Sequence, residues 1–213
     1  MKLNKNTLLM LQRSEEWFNA RKGRFTASRI SELMGVKGLG LTGESYCFDL
    51  AVEDVFGIDE SEQFTSFDMQ RGVMLEPLAF EKFKSIKELE FIEVTEATFF
   101  PIGEIAGASP DGLLGNDAIL EIKCPRPNKF FKLVKDNVID KDYLYQMQMQ
   151  MLCTNSVRCH FFNYIIFNNV EMYHEIIVER DQDMINSIKD RINEANIIKE
   201  NFKQQLINNK QWK

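Results

Sequence analysis

The sequence lacks the features of several large protein classes. Only five prolines and eleven glycines occur in 213 residues, which argues against long disordered stretches. No apolar run approaches the ~20 residues of a membrane-spanning helix, so we expect no membrane partner. The first residues lack the apolar core of a secretory signal. The four cysteines form no C-x-x-C pair, so we expect reduced thiols and a cytoplasmic location.

An excess of basic residues is also absent, because the net charge is −6 at pH 7. Proteins that bind nucleic acid usually carry a basic surface. The average conceals an asymmetry: residues 1–37 contain eight Lys and Arg against three Asp and Glu, whereas residues 44–96 contain four against fourteen. The basic first quarter could face a phosphate backbone, and the alternative is that both charge runs are merely solvated.

A single domain covering residues 1–213 is predicted, since the chain shows no repeat, low-complexity tract or Gly/Ser linker. Capping residues and apolar periodicity predict helices at 14–22, 26–34, 44–56, 129–136 and 142–152, one beginning near 75 and one beginning near 181. Strands are predicted at 90–100, 107–114, 118–124, 159–167 and 171–178, the last two joined at Asn168-Asn169. The predicted class is α/β of the α+β type, with a central mixed β-sheet flanked by helices.

An acidic turn residue followed by Glu-x-Lys is the most informative local pattern. Nine residues separate Asp111 from Glu121, and Lys123 follows two positions after Glu121. Side chains alternate along a strand, so Glu121 and Lys123 share one face while Ile122 points to the other. Glu76 is predicted in the opening turn of a helix, where the following proline is tolerated.

These residue types suit hydrolysis of a phosphodiester with a bound divalent cation. Mg²⁺, with Mn²⁺ as an alternative, takes oxygen ligands, polarises a phosphate and lowers the pKa of bound water. Asp111, Glu121 and Glu76 supply carboxylates, and Ile122 supplies a backbone carbonyl. Lys123 would position or deprotonate the attacking water if burial lowers its pKa, and would otherwise offset charge in the transition state.

Each part of this pattern also has a simpler interpretation. Asp111 before Gly112 is an ordinary turn, and Glu121 with Lys123 is an exposed ion pair that stabilises by only ~0.2–1 kcal/mol. The combination on two strands joined by a tight turn, preceded by Glu76 on a helix, is much rarer than either part. The combination therefore favours a metal-dependent nuclease.

Six short motifs occur in a fixed order along the chain. They are Trp17-x-x-x-Arg21-x-Gly23-x-x-Thr26-Ala27-Ser28, Arg71-Gly72-x-x-x-Glu76-Pro77, Ser109-Pro110-Asp111-Gly112, Glu121-Ile122-Lys123-Cys124-Pro125, Gln146-x-Gln148-x-Gln150 and Gln211-Trp212-Lys213. Together they resemble the lambda-exonuclease-like family, also known as YqaJ-type viral recombinases, a branch of the PD-(D/E)XK nuclease superfamily.

The resemblance implies a restriction-endonuclease-like core and a magnesium-dependent exonuclease. Such an enzyme degrades the 5′-ended strand of linear double-stranded DNA and leaves a 3′ overhang for a single-strand annealing protein. It also implies a homotrimeric ring around DNA, in a bacterial or phage-infected cell.

The resemblance further assigns roles to individual residues. Asp111, Glu121, Lys123 and Glu76 match the catalytic positions of the family, and Gln146 matches a glutamine close to them. Three residues match the pocket for the terminal 5′-phosphate: Arg21, Ser28 and Ser109. Arginine and a helix-start serine suit phosphate chemically as well.

Other residues are expected to be structural or stay open. Trp17 is interpreted as a core aromatic. Gln146 and Gln150, four residues apart, are predicted to share one helix face, and Gln148 is interpreted as structural because it lies off that face. Met69 is a candidate for a wedge that splits the duplex end, and Trp212 is either a docking residue or a helix-end contact.

Three alternatives are considered at this stage. They are an endonuclease or junction-cutting enzyme of the same superfamily, a non-catalytic DNA-end-binding protein, and an iron–sulfur relative. We reject the last because Cys124 is predicted to face the core and only Cys153 and Cys159 look paired.

Overall fold

The structure, a computed structural model, describes residues 12–57 and 67–209, and the side chains of all of these except 67–69. The helices are α1 (Glu15–Arg21), a 3₁₀ helix (Ala27–Leu33), α2 (Gly40–Phe56), α3 (Phe67–Leu89), α4 (Pro127–Asp136), α5 (Lys141–Thr154) and α6 (Gln182–Asn208). The strands are β1 (Phe25–Thr26), β2 (Val94–Glu96), β3 (Phe100–Ile102), β4 (Ala106–Ala108), β5 (Gly112–Leu114), β6 (Ala118–Lys123), β7 (Arg158–Phe167) and β8 (Val170–Glu179).

The main sheet has five strands in the order β2-β5-β6-β7-β8. Its central pair, β6 and β7, is parallel, and the other neighbours are antiparallel. A parallel pair needs a long crossover, which α4 and α5 provide. A smaller sheet, β1-β4-β3, lies beside it. The predicted mixed sheet flanked by helices is therefore confirmed.

Local sequence explains where several elements begin and end. The hydroxyl of Ser14 accepts a hydrogen bond from the backbone N–H of Trp17 (3.2 Å) and caps α1. Asp181 caps α6 in the same way, accepting from two N–H groups at 3.0 Å. Asn168 and Asn169 take positive φ angles of 50° and 62°, which confirms the predicted hairpin turn between β7 and β8.

The two faces of β6 pack against different helices. Leu120 and Ile122 join a core formed with α3, whereas Ile119 joins a core formed with Met147 and Met151 of α5. A third core lies between α2, α6 and the 3₁₀ helix, and it includes Met149 of α5. Glu121, which alternates with Ile122, therefore points toward α5, as predicted from the strand periodicity.

Several predicted elements differ from the structure. The strand predicted at 90–100 is limited to β2, and its last residue begins β3. The helix predicted at 26–34 is a 3₁₀ helix, and α2 begins at Gly40 rather than at Glu44. The strand predicted at 107–114 is divided into β4 and β5, with Ser109 to Asp111 between them. Asp111 lies in this break and stays attached to β6: its backbone N–H donates to the carbonyl of Leu120 (2.9 Å), and its carboxylate accepts from the backbone N–H of Ile122 (2.7 Å).

The helix that carries Glu76 is longer than predicted. Glu76 was placed in an opening turn before Pro77, but α3 begins at Phe67 and contains Pro77 in its interior. A proline inside a helix removes one hydrogen bond and costs ~3 kcal/mol. Packing of Ala79 and Phe83, both fully buried against the sheet, offsets that cost.

Two predictions concern residues that lie outside the described part of the chain. Trp212 lies outside the described residues, and the side chain of Met69 does too. Among the helices that the structure describes, none combines the length and the apolar character needed to cross a bilayer.

Candidate active site

The site forms where the turn before β5 meets the middle of β6. Asp111 Oδ2 accepts a hydrogen bond from the backbone N–H of Ile122 (2.7 Å), which fixes its carboxylate beside Glu121. Burial, followed by the charge of Glu121, raises the pKa of Asp111 well above its ordinary value. A buried Asp111 carboxylate beside the carboxylate of Glu121 concentrates negative charge at one place, which suits a bound cation.

Glu121 is the most enclosed acid of the site, with only 2% of its surface exposed. Its Oε1 accepts hydrogen bonds from the Lys123 ammonium and from Gln146 Nε2 (2.6 Å). Its Oε2 accepts from Gln150 Nε2 (2.6 Å). The i and i+4 spacing on α5 brings both glutamines to one carboxylate, as the sequence predicted for their shared face.

Lys123 remains a cation in this arrangement. Burial acts to lower its pKa, but the charges of Glu121 and Asp111 more than offset burial, so the pKa lies above its ordinary value. Of the two roles considered for Lys123, the structure favours offsetting negative charge over deprotonating water.

Glu76 lies at the edge of the same cleft. Its carboxylate accepts a hydrogen bond from Arg13 Nη2 (2.8 Å), and its charge contributes to the raised pKa of Asp111. Glu76 and Arg13 line a cavity of about 360 Å³ together with Asp111 and Ile122. Arg13 was not predicted, since 63 residues separate it from Glu76.

The residues proposed for the 5′-phosphate come together beside Glu121. The guanidinium carbon of Arg21 lies 4.0 Å from the centre of the Trp17 ring, and Arg21 Nη2 is 3.5 Å from the hydroxyl of Ser28. Trp17 Nε1 donates to the hydroxyl of Ser109 (2.9 Å). Trp17 is thus only partly buried and holds Arg21 and Ser109, so its interpretation as a core aromatic is wrong.

Gln150 connects this group to the acids. Its Nε2 lies 2.6 Å from Glu121 Oε2 and 3.4 Å from the carbonyl oxygen of Ser109. Within residues 12–57 and 67–209, Arg21 forms no ion pair with a carboxylate. Burial of its side chain lowers the pKa of Arg21. A partly buried arginine with an aromatic neighbour and no carboxylate partner is suited to an anionic ligand.

The donor set fits a hard divalent cation. Asp111 and Glu121 offer carboxylate oxygens, and the buried Oε1 of Gln150 has no hydrogen-bond partner among the described residues. The acids do not form a complete cage, because no group of three or more His, Cys, Asp and Glu ligands is found in the described chain. Glu76, the third proposed acid, pairs with Arg13 (2.8 Å).

Two other predictions concern residues around the site. Gln148 is structural, as predicted: it is buried, donates to the carbonyl of Glu179 (2.8 Å) and accepts from the backbone N–H of Asp181 (2.8 Å). The basic first quarter is less available than the sequence suggests, because Arg24 pairs with Glu104 and Arg29 pairs with Glu32 and Asp49.

Comparison with known proteins matches the chain to one family and to solved exonuclease structures. The family model of the YqaJ-like viral recombinase domain matches residues 16–157. The alkaline exonuclease LHK-Exo of Laribacter hongkongensis has 32% sequence identity and a TM-score of 0.79, over 91% of this chain and 96% of that chain. The structure of LHK-Exo in complex with dAMP matches with the same values.

A more distant structure shares the fold alone. A phage-related exonuclease of Haemophilus somnus 129PT matches with a TM-score of 0.69 and 16% identity, over 86% of this chain and 96% of that chain. No curated protein matches the chain.

Proposed function

The chain belongs to the YqaJ-like viral recombinase family and is a nuclease, and from this premise we propose that it is a metal-dependent 5′-to-3′ exonuclease. It degrades one strand of linear double-stranded DNA and leaves 3′ overhangs for recombination by strand annealing. The observation that carries this proposal is the link through Gln150, which contacts Glu121 on one side and the Ser109 backbone beside unpaired Arg21 on the other. A cutting centre is thereby joined to a pocket for a terminal phosphate.

In this proposal Arg21 and the hydroxyls of Ser28 and Ser109 bind the 5′-phosphate. Arginine donates two N–H bonds to adjacent phosphate oxygens, and Trp17 restricts the guanidinium to one orientation. A terminal phosphate fixed there places the next phosphodiester beside the acids. The enzyme then removes nucleotides from an end rather than cutting internally.

The remaining residues prepare the scissile phosphate. Gln146 and Gln150 hold the Glu121 carboxylate in one orientation, and the backbone N–H of Ile122 does the same for Asp111. A Mg²⁺ or Mn²⁺ held by Asp111, Glu121, Glu76 and the Ile122 carbonyl would polarise the phosphate and supply a water of lowered pKa. Lys123 donates hydrogen bonds to the phosphoryl oxygens, where negative charge grows in the transition state.

We also propose a single nuclease domain over residues 1–213, a homotrimer, and an annealing protein as partner, in the cytoplasm of a bacterial or phage-infected cell. The trimer and the annealing partner rest on the family resemblance, whereas the single domain rests on the lack of a repeat, low-complexity tract or Gly/Ser linker in the sequence. The endonuclease alternative shares the acids but has no use for a terminal-phosphate pocket.

The test is digestion of linear duplex DNA that carries either a 5′-phosphate or a 5′-hydroxyl, with Mg²⁺ and with EDTA. We expect Mg²⁺-dependent release of mononucleotides, faster from the phosphorylated end, and no cutting of circular duplex. Arg21→Ala removes the preference for phosphate, whereas Lys189→Ala, an exposed lysine of α6, leaves it intact. Cutting of the circle, or full digestion by Lys123→Ala or Glu121→Ala, would overturn the proposal.

A further inference from the structure

A second cavity adjoins the cleft on the far side of Lys123. It has a volume of about 450 Å³ and lies between the end of β6, the middle of β7, helix α4 and the first turn of α5. Pockets of ~300–1,000 Å³ are typical for small organic ligands. The residues that line both this cavity and the catalytic cleft are Lys123, Pro125, Lys129 and Tyr143. A ligand in this cavity, which we call the α4 cavity, therefore lies next to the reacting phosphate.

An unpaired amide lines the cavity. Asn163 is only 2% exposed, and its Nδ2 has no hydrogen-bond partner in the described part of the chain. It is the direct neighbour of Lys123 across the parallel β6 and β7 pair, so both side chains lie on the α5 face. A buried donor without a partner costs ~1–3 kcal/mol, and a ligand with an acceptor in the cavity would remove that cost.

The remaining walls suit a flat ring with a charged substituent. Phe161, Pro125 and Leu133 supply apolar surface, and the Tyr143 ring stands 5.6 Å from that of Phe161. Aromatic and apolar side chains receive the faces of nucleobases, and amides pair with base edges. The combination of an apolar floor with one amide is typical of a base-binding site.

Charged residues at the rim indicate where a phosphate would lie. Lys129 and Lys132 are exposed on α4, and neither is paired with a carboxylate among the described residues. Asp136 and Asp140 line the cavity as well. Their carboxylates repel a phosphate but accept hydrogen bonds from amino groups of a base. The phosphate is therefore expected on the Lys129 and Lys132 side.

We propose that the α4 cavity binds a deoxynucleotide, with its base against Asn163 and Phe161 and its phosphate at Lys129 and Lys132. This inference rests on the proposed nuclease function and extends it by a second nucleotide site, separate from Arg21 and Ser28. The nucleotide has two sources, the mononucleotide that cleavage releases or a nucleotide that is still part of the DNA strand.

The test is calorimetric titration of the full chain with thymidine 5′-monophosphate in EDTA, so that no cleavage occurs. An Arg21→Ala background removes the first phosphate pocket. We expect binding at least tenfold tighter than that of 2-deoxyribose 5-phosphate, which has no base. Asn163→Leu should weaken binding about tenfold, as loss of one hydrogen bond predicts. Lys129→Ala with Lys132→Ala should weaken it at least as much.

Matched variants control for indirect effects. Asn196→Leu makes the same change at a residue of α6 whose buried Oδ1 also has no partner among the described residues, and Lys189→Ala removes an exposed lysine from α6. Neither should alter nucleotide binding. Lys129 and Lys132 are exposed, so we expect the double lysine variant to fold even if Asn163→Leu does not. Equal binding of the nucleotide by the parent and by the lysine variant overturns the proposal.

Two further measurements separate the sources. If the strand itself enters the cavity, one abasic site among the first nucleotides of a duplex weakens binding to the parent but not to Asn163→Leu. If the released product enters it, added thymidine 5′-monophosphate inhibits digestion by the parent more than digestion by Asn163→Leu. The absence of both effects overturns the proposal. If the chain fails to digest DNA but the titration succeeds, the proposed function fails and the α4 cavity stands.

Discussion

Arg13 forms an ion pair with Glu76, which we propose as a metal ligand. Its ion pair with Glu76 spans 2.8 Å, and both side chains are partly exposed. A metal ion that binds Glu76 must displace Arg13 from its carboxylate. Breaking an exposed ion pair of this kind costs ~0.2–1 kcal/mol. We therefore expect Arg13→Ala to lower the Mg²⁺ concentration for half-maximal digestion about two- to fivefold. Digestion rates over a Mg²⁺ series measure this shift.

Arg191→Ala is the matched control for Arg13. It breaks another exposed Arg–Glu pair, with Glu194 on α6, far along the chain from the site. The Mg²⁺ requirement should stay unchanged in this variant. A higher requirement in Arg13→Ala would mean instead that Arg13 helps to orient Glu76 for the cation.

The type of each site residue was more predictable than its partners. The spacing of Gln146 and Gln150 indicated a shared face, and both do bind Glu121. The spacing of Trp17 and Arg21 by four residues is a signal for stacking along a helix, but Trp17 was assigned to the core. The contact of Arg13 with Glu76 depends on how a segment before α1 folds back, and no local pattern encodes that.

At the scale of elements, one glycine sets the position of α1. Gly23 follows Arg21 with a φ of 67°, and an added Cβ would lie 1.9 Å from Oδ1 of Asp54 in α2. Its carbonyl also accepts a hydrogen bond from Lys199 of α6 (2.8 Å). Gly23→Ala should lower stability by about 2–4 kcal/mol, from left-handed strain plus the clash. It should also weaken the 5′-phosphate preference, because α1 carries Arg21.

Gly115→Ala isolates the contribution of the clash. Gly115 has a similar φ of 56°, but an added Cβ there meets nothing within 4 Å. Urea denaturation of both variants should show the smaller loss, about 1–2 kcal/mol, for Gly115→Ala. Equal losses would show that Asp54 moves aside without cost.

A buried polar cluster anchors α3 to the sheet. Glu175 of β8 pairs with His160 of β7 (2.5 Å) and with Lys87 of α3 (3.1 Å). Burial acts to raise the pKa of Glu175, but hydrogen bonds from His160 and Lys87 outweigh it, so its pKa lies below the ordinary 4.5. A carboxylate with a depressed pKa stabilises the fold fully above its unfolded pKa and loses that effect as the pH falls below it.

Glu175→Gln should therefore lower the free energy of unfolding at pH 7 by about 1–3 kcal/mol. The difference from the parent should shrink as the pH falls below 4.5, toward the depressed pKa of Glu175. Urea denaturation at pH 7 and below pH 4.5 measures both quantities. Glu179→Gln, at an exposed residue of the same strand, should change little at either pH. A difference that grows with acidity would contradict the assigned pKa direction.

The course of α3 shows why element boundaries were less predictable than the fold class. Pro77 after Glu76 is a strong local signal for a helix start. Tertiary packing of Ala79 and Phe83 outweighs that signal. By contrast, the alternation of Glu121 and Ile122 has one consistent interpretation, because a strand with two helical layers must bury one set of side chains on each face.

At the scale of the whole molecule, ion pairs limit the cations that can bind DNA. In the described part of the chain, Arg24 and Arg29 are paired with acids, whereas Arg21, Lys129 and Lys132 near the cleft form no ion pair. Each phosphate contact lowers log K by ~0.9 per unit of log salt concentration. With two or three such contacts, we therefore expect log K for the binding of linear duplex in EDTA to fall with log salt concentration with a slope of about −2 to −3.

Lys129→Ala tests which residues contribute to this slope. Fluorescence anisotropy over a KCl series should show a slope that is shallower by about one in this variant. Lys135→Ala, with a lysine on the same helix but outside the cavity, should leave the slope as in the parent. An unchanged slope for Lys129→Ala would place the DNA elsewhere.

In helix α5, every residue from Tyr145 to Met151 has a structural or functional contact. From Tyr145 to Met151 its residues belong to two hydrophobic cores, hold Glu121, or brace the junction between β8 and α6 through Gln148. Over evolutionary time, substitutions can accumulate singly on the exposed side of α4. Along this stretch of α5, drift requires compensating changes in another element, so the alternating Gln and Met residues should be among the slowest to diverge between lineages.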